Sequence, residues 1–124
     1  MPDTLGKIAA GASRIGDIIY IIGGYHVMEN GSEISSDKTH RYDVVNNVYL
    51  LDGVAVPVAI DDHVQAVWND SLIYVVTGWS NNGNVSNVQI YDPSLDSWSQ
   101  GTPVPNNNEY FSFGSSGSII GNMI

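Results

Sequence analysis

The chain has 124 residues, of which 13 are acidic and 4 are basic, and its formal net charge at pH 7 is −9. This charge argues against nucleic acid or an anionic membrane surface as a partner, because both attract a basic protein face. No cysteine is present, which excludes disulfides, thiolate nucleophiles and cysteine-ligated zinc.

The apolar residues favour strands over helices. The chain has 14 valines and 13 isoleucines but only 5 leucines and 6 alanines. β-branched side chains fit a pleated sheet and lose rotamer freedom in a helix. Turn-forming Gly, Asn, Ser and Pro are also frequent. The composition predicts a single all-β domain with almost no helix.

Each half of the chain contains four predicted strands. In the first half they lie at about residues 8–14, 18–22, 39–44 and 48–51. In the second half they lie at about residues 63–68, 72–76, 88–91 and 98–100. Glycine and asparagine tolerate positive φ, which predicts two-residue turns between strands. These turns are expected at Gly16-Asp17, Asn46-Asn47 and Asn69-Asp70.

The strands belong to an internal repeat. Residues 16–24, GDIIYIIGG, match residues 70–78, DSLIYVVTG, at an offset of 54 positions. Residues 121–124 begin the same phrase again, 51 positions further on. Between the copies a Tyr-Asp pair recurs, with an aromatic residue seven positions after its tyrosine. The residues concerned are Tyr42, Asp43 and Tyr49 in the first copy and Tyr91, Asp92 and Trp98 in the second.

A strand ending in two glycines, followed by Tyr-Asp and a later aromatic residue, resembles the Kelch repeat, the blade of a β-propeller. The resemblance covers nearly the whole chain, as blade 1 (residues 7–52), blade 2 (residues 61–102) and the start of a third blade (residues 110–124). The pattern departs from the usual repeat at Thr77, where glycine is expected, and at Tyr49, where tryptophan is usual.

The resemblance implies a partial propeller of four-stranded antiparallel sheets. A closed propeller has about four to eight blades. The chain is therefore expected either to be a piece of a longer propeller or to associate with further copies of itself. No signal peptide is recognised at the start of the sequence, and the compartment stays open.

The repeat landmarks are expected to have structural roles. The glycines after the second strand of each blade allow positive φ or close backbone approach. Asp43 and Asp92 are expected to accept hydrogen bonds from nearby backbone N–H groups. Four aromatic residues are expected to pack between blades: Tyr42, Tyr49, Tyr91 and Trp98.

Function is expected at the end of the blades that carries the long connections, which we call the long-loop face. These connections are residues 25–38, 57–62, 79–86 and 103–109. Long loops on a rigid scaffold commonly carry binding sites. The candidate ligand-binding residues on this face are Trp79, His63, Asp62, Asp61, His26, Asn81, Asn82 and Glu109.

Two groups of candidates have a chemical rationale. Trp79 with neighbouring asparagines suits an aromatic platform with amide donors for a sugar or peptide, although Asn82-Gly83 is also typical of a simple turn. His63 beside two aspartates could bind a metal or transfer a proton. A polar loop entering a strand is the favoured reading of His63, because successive strand residues face opposite sides. No catalytic residue, metal site or cofactor is predicted.

The sequence therefore predicts a binding module that holds a protein or a carbohydrate on its long-loop face. The negative charge favours a neutral or cationic ligand. An alternative is a carbohydrate-active enzyme, since the resemblance extends to sialic-acid mutarotases and copper-dependent sugar oxidases. The absence of cysteine argues against the oxidase chemistry, which uses a cysteine–tyrosine cross-link. A purely structural scaffold is the third possibility.

Overall fold

A computed structural model describes residues 2–105 and 114–124. Within these ranges the chain is all-β, as predicted, and no helix is long and apolar enough to cross a membrane. The first sheet comprises β1 (Ile8–Ile15), β2 (Ile18–Val27), β3 (Glu33–Ser35), β4 (Thr39–Asp43) and β5 (Val48–Tyr49). Its order is β1-β2-β4-β5, with β3 paired to the end of β2. This sheet is blade 1.

Blade 2 repeats this arrangement and adds a small hairpin. The strands are β6 (Val64–Trp68), β7 (Leu72–Val76), β8 (Trp79–Ser80), β9 (Gly83–Asn84), β10 (Val88–Asp92) and β11 (Ser97–Gln100). Four of them form an antiparallel sheet in the order β11-β10-β7-β6, while β8 and β9 pair only with each other. Both blades therefore have the four-strand meander that the repeat predicts.

The structure corrects two of the predicted connections on the long-loop face. Strand β2 continues five residues beyond its predicted end and pairs with β3, so part of residues 25–38 forms a hairpin. Residues 79–84 form the second hairpin, β8–β9. Neither hairpin was expected, because the strands β3, β8 and β9 are only two or three residues long.

The predicted turns are only partly correct. Gly16-Asp17 forms a two-residue turn between the paired residues Ile15 and Ile18. The β6–β7 connection has three residues, since Trp68 pairs with Leu72. The β4–β5 connection has four, since Asp43 pairs with Val48, and so Asn46-Asn47 is not a two-residue turn.

The repeated aspartates fix the connections that follow them, as predicted. One carboxylate oxygen of Asp43 accepts hydrogen bonds from the backbone N–H groups of Val45 and Asn46, both at 2.9 Å. Asp92 accepts one from the backbone N–H of Ser94, at 2.9 Å. The bonds from the backbone hold the pKa of Asp43 below its usual value. The pKa of Asp92 is lowered chiefly by the Ser94 hydroxyl, which donates to the same carboxylate at 2.6 Å. The bonds to Asp43 stabilise the four-residue loop between β4 and β5.

The main hydrophobic core lies between the two blades. Tyr91 of β10 is fully buried, and its ring lies 5.8 Å from that of Tyr20 of β2 at an interplanar angle of 61°. Trp98 packs on Tyr91 at 5.0 Å, and its indole N–H donates to the carbonyl of Val54 at 2.9 Å. Ile22 and Ile73 are also fully buried, and each such side chain stabilises the fold by about 1.5–3 kcal/mol.

Tyr42 and Tyr49 lie on the face of blade 1 that points away from blade 2, so their expected packing against a neighbouring blade stays a prediction. Tyr20 faces blade 2, and its cross-strand neighbour is Arg41, so the next residue, Tyr42, points to the other side of blade 1. There its ring contacts Tyr49 at 5.0 Å, and Tyr49 is 39% exposed. The tyrosines therefore mark the outer face of blade 1.

The repeated glycines, Gly23 within β2 and Gly78 shortly after β7, have the positive φ and the close backbone approach predicted for them. Gly23 has φ +65°, and a Cβ built on it would lie 2.2 Å from the carbonyl oxygen of Ile60. Gly78 has φ +115°, and its Cβ would lie 2.5 Å from the carbonyl oxygen of Asp61. Thr77, which replaces the first glycine in the second repeat, also has a positive φ of 51°.

The third copy of the phrase begins with the same turn as the first. Ile120 pairs with Met123 across Gly121-Asn122, and Gly121 has φ +60°, close to the +56° of Gly16. The side chain of Asn122 accepts a hydrogen bond from the Trp68 indole at 3.1 Å. The extent of a third blade stays a prediction, because residues 106–113 lie outside the described ranges.

Candidate functional site

A cleft of about 510 Å³ opens on the long-loop face, where the two extra hairpins meet. We call it the acidic cleft, because three carboxylates are among its lining residues. The lining residues are Tyr25, Gly31, Glu33, Ser35, Asp61, Asp62, Trp79 and Asn81. The cleft thus combines two aromatic rings, three carboxyl groups, a hydroxyl and an amide.

Each blade contributes one wall through its hairpin. In blade 1, the register pairs Tyr25 with Ser35 and Val27 with Glu33, which brings both strands of the hairpin to the cleft. In blade 2, the backbones of Asp61 and Trp79 exchange two hydrogen bonds of 2.9 Å. This bridge holds the connection between the blades against β8, and it places an acid beside the tryptophan.

Ser35 joins the two walls. Its hydroxyl donates to a carboxylate oxygen of Asp61 at 2.5 Å and accepts from the backbone N–H of Asn81 at 2.7 Å. Its backbone N–H donates to the side-chain oxygen of Asn81 at 3.0 Å. Three hydrogen bonds therefore converge on one serine and couple the hairpins of different blades.

The carboxylates give the cleft an unusual electrostatic character. Asp61 is buried, and this burial raises its pKa to about 6. The charges of Asp62 and Glu33 act in the same direction, while the Ser35 hydroxyl opposes them. Burial also raises the pKa of Tyr25, again with a contribution from the neighbouring carboxylates. The lining therefore carries concentrated negative charge.

The structure brings four of the predicted candidates together in the cleft: Trp79, Asp61, Asp62 and Asn81. It adds Tyr25, Glu33 and Ser35, which the sequence analysis missed. The sequence held one indication of Glu33 and Ser35, since they alternate around Ile34 as in a strand, in a connection already assigned to this face. A pattern of three residues is too short to predict a strand.

The other candidates lie elsewhere. His63 is buried, which lowers its pKa, and its Nε2 lies 3.2 Å from the side-chain oxygen of Gln65. His26 does not line the cleft, and its Nδ1 lies 2.9 Å from the carbonyl oxygen of Gly6. Asn82 is exposed at the tip of the β8–β9 hairpin. Glu109 lies outside the described residues.

The geometry corrects one further prediction. The turn of the β8–β9 hairpin consists of Asn81 and Asn82, since Ser80 pairs with Gly83, and so it is not an Asn82-Gly83 turn. Within residues 2–105 and 114–124, no group of three His, Asp or Glu side chains is arranged to hold a metal ion. The arrangement suits binding through charge and aromatic contact.

Comparison with known proteins identifies the repeat. The Kelch motif matches residues 66–105 of the chain. Kelch-like protein 36 of Bos taurus is 26% identical over 110 residues, which cover 89% of this chain and 17% of that protein. Beta-scruin of Limulus polyphemus is 35% identical over 91 residues, covering 70% of this chain and 10% of that protein. The chain thus spans about a sixth or less of the length of these relatives.

A solved structure shows the same fold. The structure of YjhT superimposes with a TM-score of 0.70 at 18% sequence identity. The match covers 81% of this chain and 39% of that chain. The two four-stranded blades and the repeated landmarks agree with both comparisons. The chain belongs to the Kelch-repeat family.

Proposed function

We propose that the chain is a protein-interaction portion of a Kelch propeller and that it binds its partner in the acidic cleft. The observation that carries the proposal is the cleft itself, which two hairpins from different blades build on the long-loop face. Its volume of about 510 Å³ lies within the range of ligand pockets. The similarity to Kelch-like proteins supports an interaction module.

The composition of the cleft also supports this function. Tryptophan and tyrosine are enriched among the residues that anchor protein interfaces, and Trp79 and Tyr25 line the two walls. The hydrogen bonds of Ser35 hold the walls together without a ligand. A preformed site loses less conformational freedom on binding, which favours affinity.

Selection of peptides from a displayed random library tests the proposal. Selected peptides should bind the wild-type chain, and Trp79→Ala should weaken them by about tenfold or more if the ring is an anchor. Val45→Ala is the matched control, because Val45 is 69% exposed in the turn at the opposite end of blade 1. Circular dichroism verifies that each variant is folded. Peptides that bind Trp79→Ala as tightly as wild type contradict the proposal.

A carbohydrate ligand is the second candidate, and a specific observation favours it. Trp79, the amide of Asn81 and the carboxylates occupy one cleft, which is a combination suited to stacking and hydrogen bonding with a sugar ring. A glycan array with the wild-type chain and Trp79→Ala separates this candidate from a protein partner. Glycan binding that depends on Trp79 would also favour the alternative that the chain is part of a carbohydrate-active enzyme.

A further inference from the structure

We propose that the acidic cleft recognises an arginine side chain of the partner, whose guanidinium pairs with the cleft carboxylates and stacks on the aromatic rings. This inference rests on the proposed function and specifies its ligand. Three observations carry it. The lining is negatively charged, two aromatic residues line the cleft, and the basic residues of the chain lie outside it.

The carboxylates of the cleft lack a cationic partner among the described residues. None of the ion pairs in residues 2–105 and 114–124 includes Glu33, Asp61 or Asp62. The chain's basic side chains are placed elsewhere. Lys7 pairs with Asp3, Arg14 pairs with Asp17, Arg41 donates to the carbonyls of Leu51 and Asp52, and Lys38 is not among the lining residues. A complementary charge would therefore come from another molecule.

The lining favours arginine over other cations. A guanidinium is planar, stacks on aromatic rings and forms two parallel hydrogen bonds with a carboxylate, whereas the ammonium of lysine is a compact and strongly hydrated charge. The cleft offers both kinds of contact, because Trp79 and Tyr25 line it together with Asp62 and Glu33. A neutral side chain of the same shape would leave these carboxylates uncompensated.

The titration of Asp61 gives the proposal a second signature. The groups that face it are Asp62 on its own segment, Glu33 on β3 and Tyr25 on β2, while the next residue, His63, is buried with a lowered pKa. A bound cation stabilises the ionised carboxylate. Since the pKa of Asp61 is about 6 without a ligand, a proton competes with the cation below that pH.

The test uses three short peptides that differ at one position: acetyl-Gly-Arg-Gly-amide and its lysine and citrulline counterparts. Citrulline has nearly the shape of arginine without its charge. Titrations are followed by the ¹⁵N indole signal of Trp79, which a Trp79→Phe variant assigns. We expect the arginine peptide to bind about tenfold more tightly than the citrulline peptide, with lysine between them. Its affinity should fall several-fold from about pH 7.5 to about pH 5.

Charge-removing variants locate the effect. Asp62→Asn should weaken the arginine peptide several-fold, and asparagine tolerates the positive φ of 51° at this position. Asp70→Asn is the matched control, because Asp70 is exposed, has a similar φ of 48° and lies in the β6–β7 turn at the opposite end.

Equal binding of the arginine and citrulline peptides would overturn the inference, as would an unchanged affinity in Asp62→Asn. These outcomes are distinct from failure of the proposed function. If library peptides depend on Trp79 but carry no arginine, the interaction site stands and its assigned ligand is wrong. If calorimetry shows that the arginine peptide binds Trp79→Ala as tightly as wild type, both conclusions fail.

Discussion

Gly23 shows how a single residue determines the path of the chain between the blades. Its N–H donates to the carbonyl of Lys38 at 3.0 Å, and the N–H of Gly24 donates to the carbonyl of Ile60 at 2.8 Å. The first bond joins β2 to the segment before β4, and the second brings β2 against the connection between the blades. The approach leaves no room for a side chain on Gly23, whose φ also favours glycine.

We therefore expect Gly23→Ala to lower the free energy of unfolding by about 2–4 kcal/mol, because a methyl group would meet the Ile60 carbonyl in a strained backbone conformation. Urea unfolding monitored by circular dichroism measures the change. Gly83→Ala is the control, since nothing lies within 4 Å of a Cβ built there and its φ is not in the left-handed region. Equal losses in the two variants would contradict this account.

Asp61 should make stability depend on pH in a direction opposite to that of most carboxylates. Its pKa is raised from 3.8 to about 6 by folding, so the folded state holds this proton more tightly than the unfolded state does. The stability that Asp61 contributes is therefore full below about pH 4 and is lost as the pH rises through about 6.

Asp61→Asn tests this sign, because asparagine does not ionise and its side-chain oxygen can still accept from Ser35. The free energy of unfolding of the variant minus that of wild type should therefore increase by about 1–3 kcal/mol as the pH rises from about 4 to about 7. Denaturant unfolding at several pH values provides the comparison. A difference that stays constant with pH would show that burial does not perturb Asp61.

At the level of elements, the strands of the blades could be predicted and the two extra hairpins could not. The blade strands are runs of β-branched residues that recur with the repeat, as in residues 18–22 and 72–76. The hairpin strands β3 and β9 are short and largely polar. They are held by contacts distant in sequence, such as the bond from the Ser35 N–H to the side-chain oxygen of Asn81 at 3.0 Å.

The same distinction applies to the cleft. Trp79, Asp61 and Asp62 could be placed on the right face from topology alone. Ser35 could not be recognised, because its role depends on a hairpin of the other blade, 46 positions away at Asn81. His63 follows the two aspartates in sequence, but it is buried and bonded to Gln65 rather than lining the cleft.

The coupling between the hairpins can be tested at Ser35. Ser35→Ala removes the hydroxyl that bonds to both Asp61 and the backbone N–H of Asn81. Backbone hydrogen exchange in residues 79–84 should become faster, since a buried hydrogen bond stabilises by about 0.5–1.5 kcal/mol. Ser32→Ala is the control, because the Ser32 hydroxyl bonds only within its own exposed turn, to Asn30. Unchanged exchange in Ser35→Ala would show that the hairpins are independent.

At the scale of the whole molecule, residues at equivalent positions of the repeat differ in burial, because only one face of each blade packs on the other blade. Tyr91 of blade 2 packs on Tyr20 of blade 1. The repeat equivalent of Tyr91 is Tyr42, which lies on the outer face of blade 1. The equivalent of Tyr20 is Tyr74, which lines a cleft of about 290 Å³ between the outer face of blade 2 and residues 119–124. The two outer faces thus carry complementary halves of the same contact, and residues 119–124 would have to be displaced before a second copy could occupy the face of blade 2.

We expect the isolated chain to associate through these faces, because the front of one copy presents the surface that packs on the back of another. Light scattering should give a mean mass above the 13.4 kDa of one chain, rising with concentration. Tyr49→Lys should lower that mass, since it places a charge beside Tyr42 on the outer face of blade 1. Val45→Lys adds the same charge in an exposed turn and should leave the mass unchanged. A wild-type chain that remains monomeric at all concentrations would mean that these faces do not recognise each other.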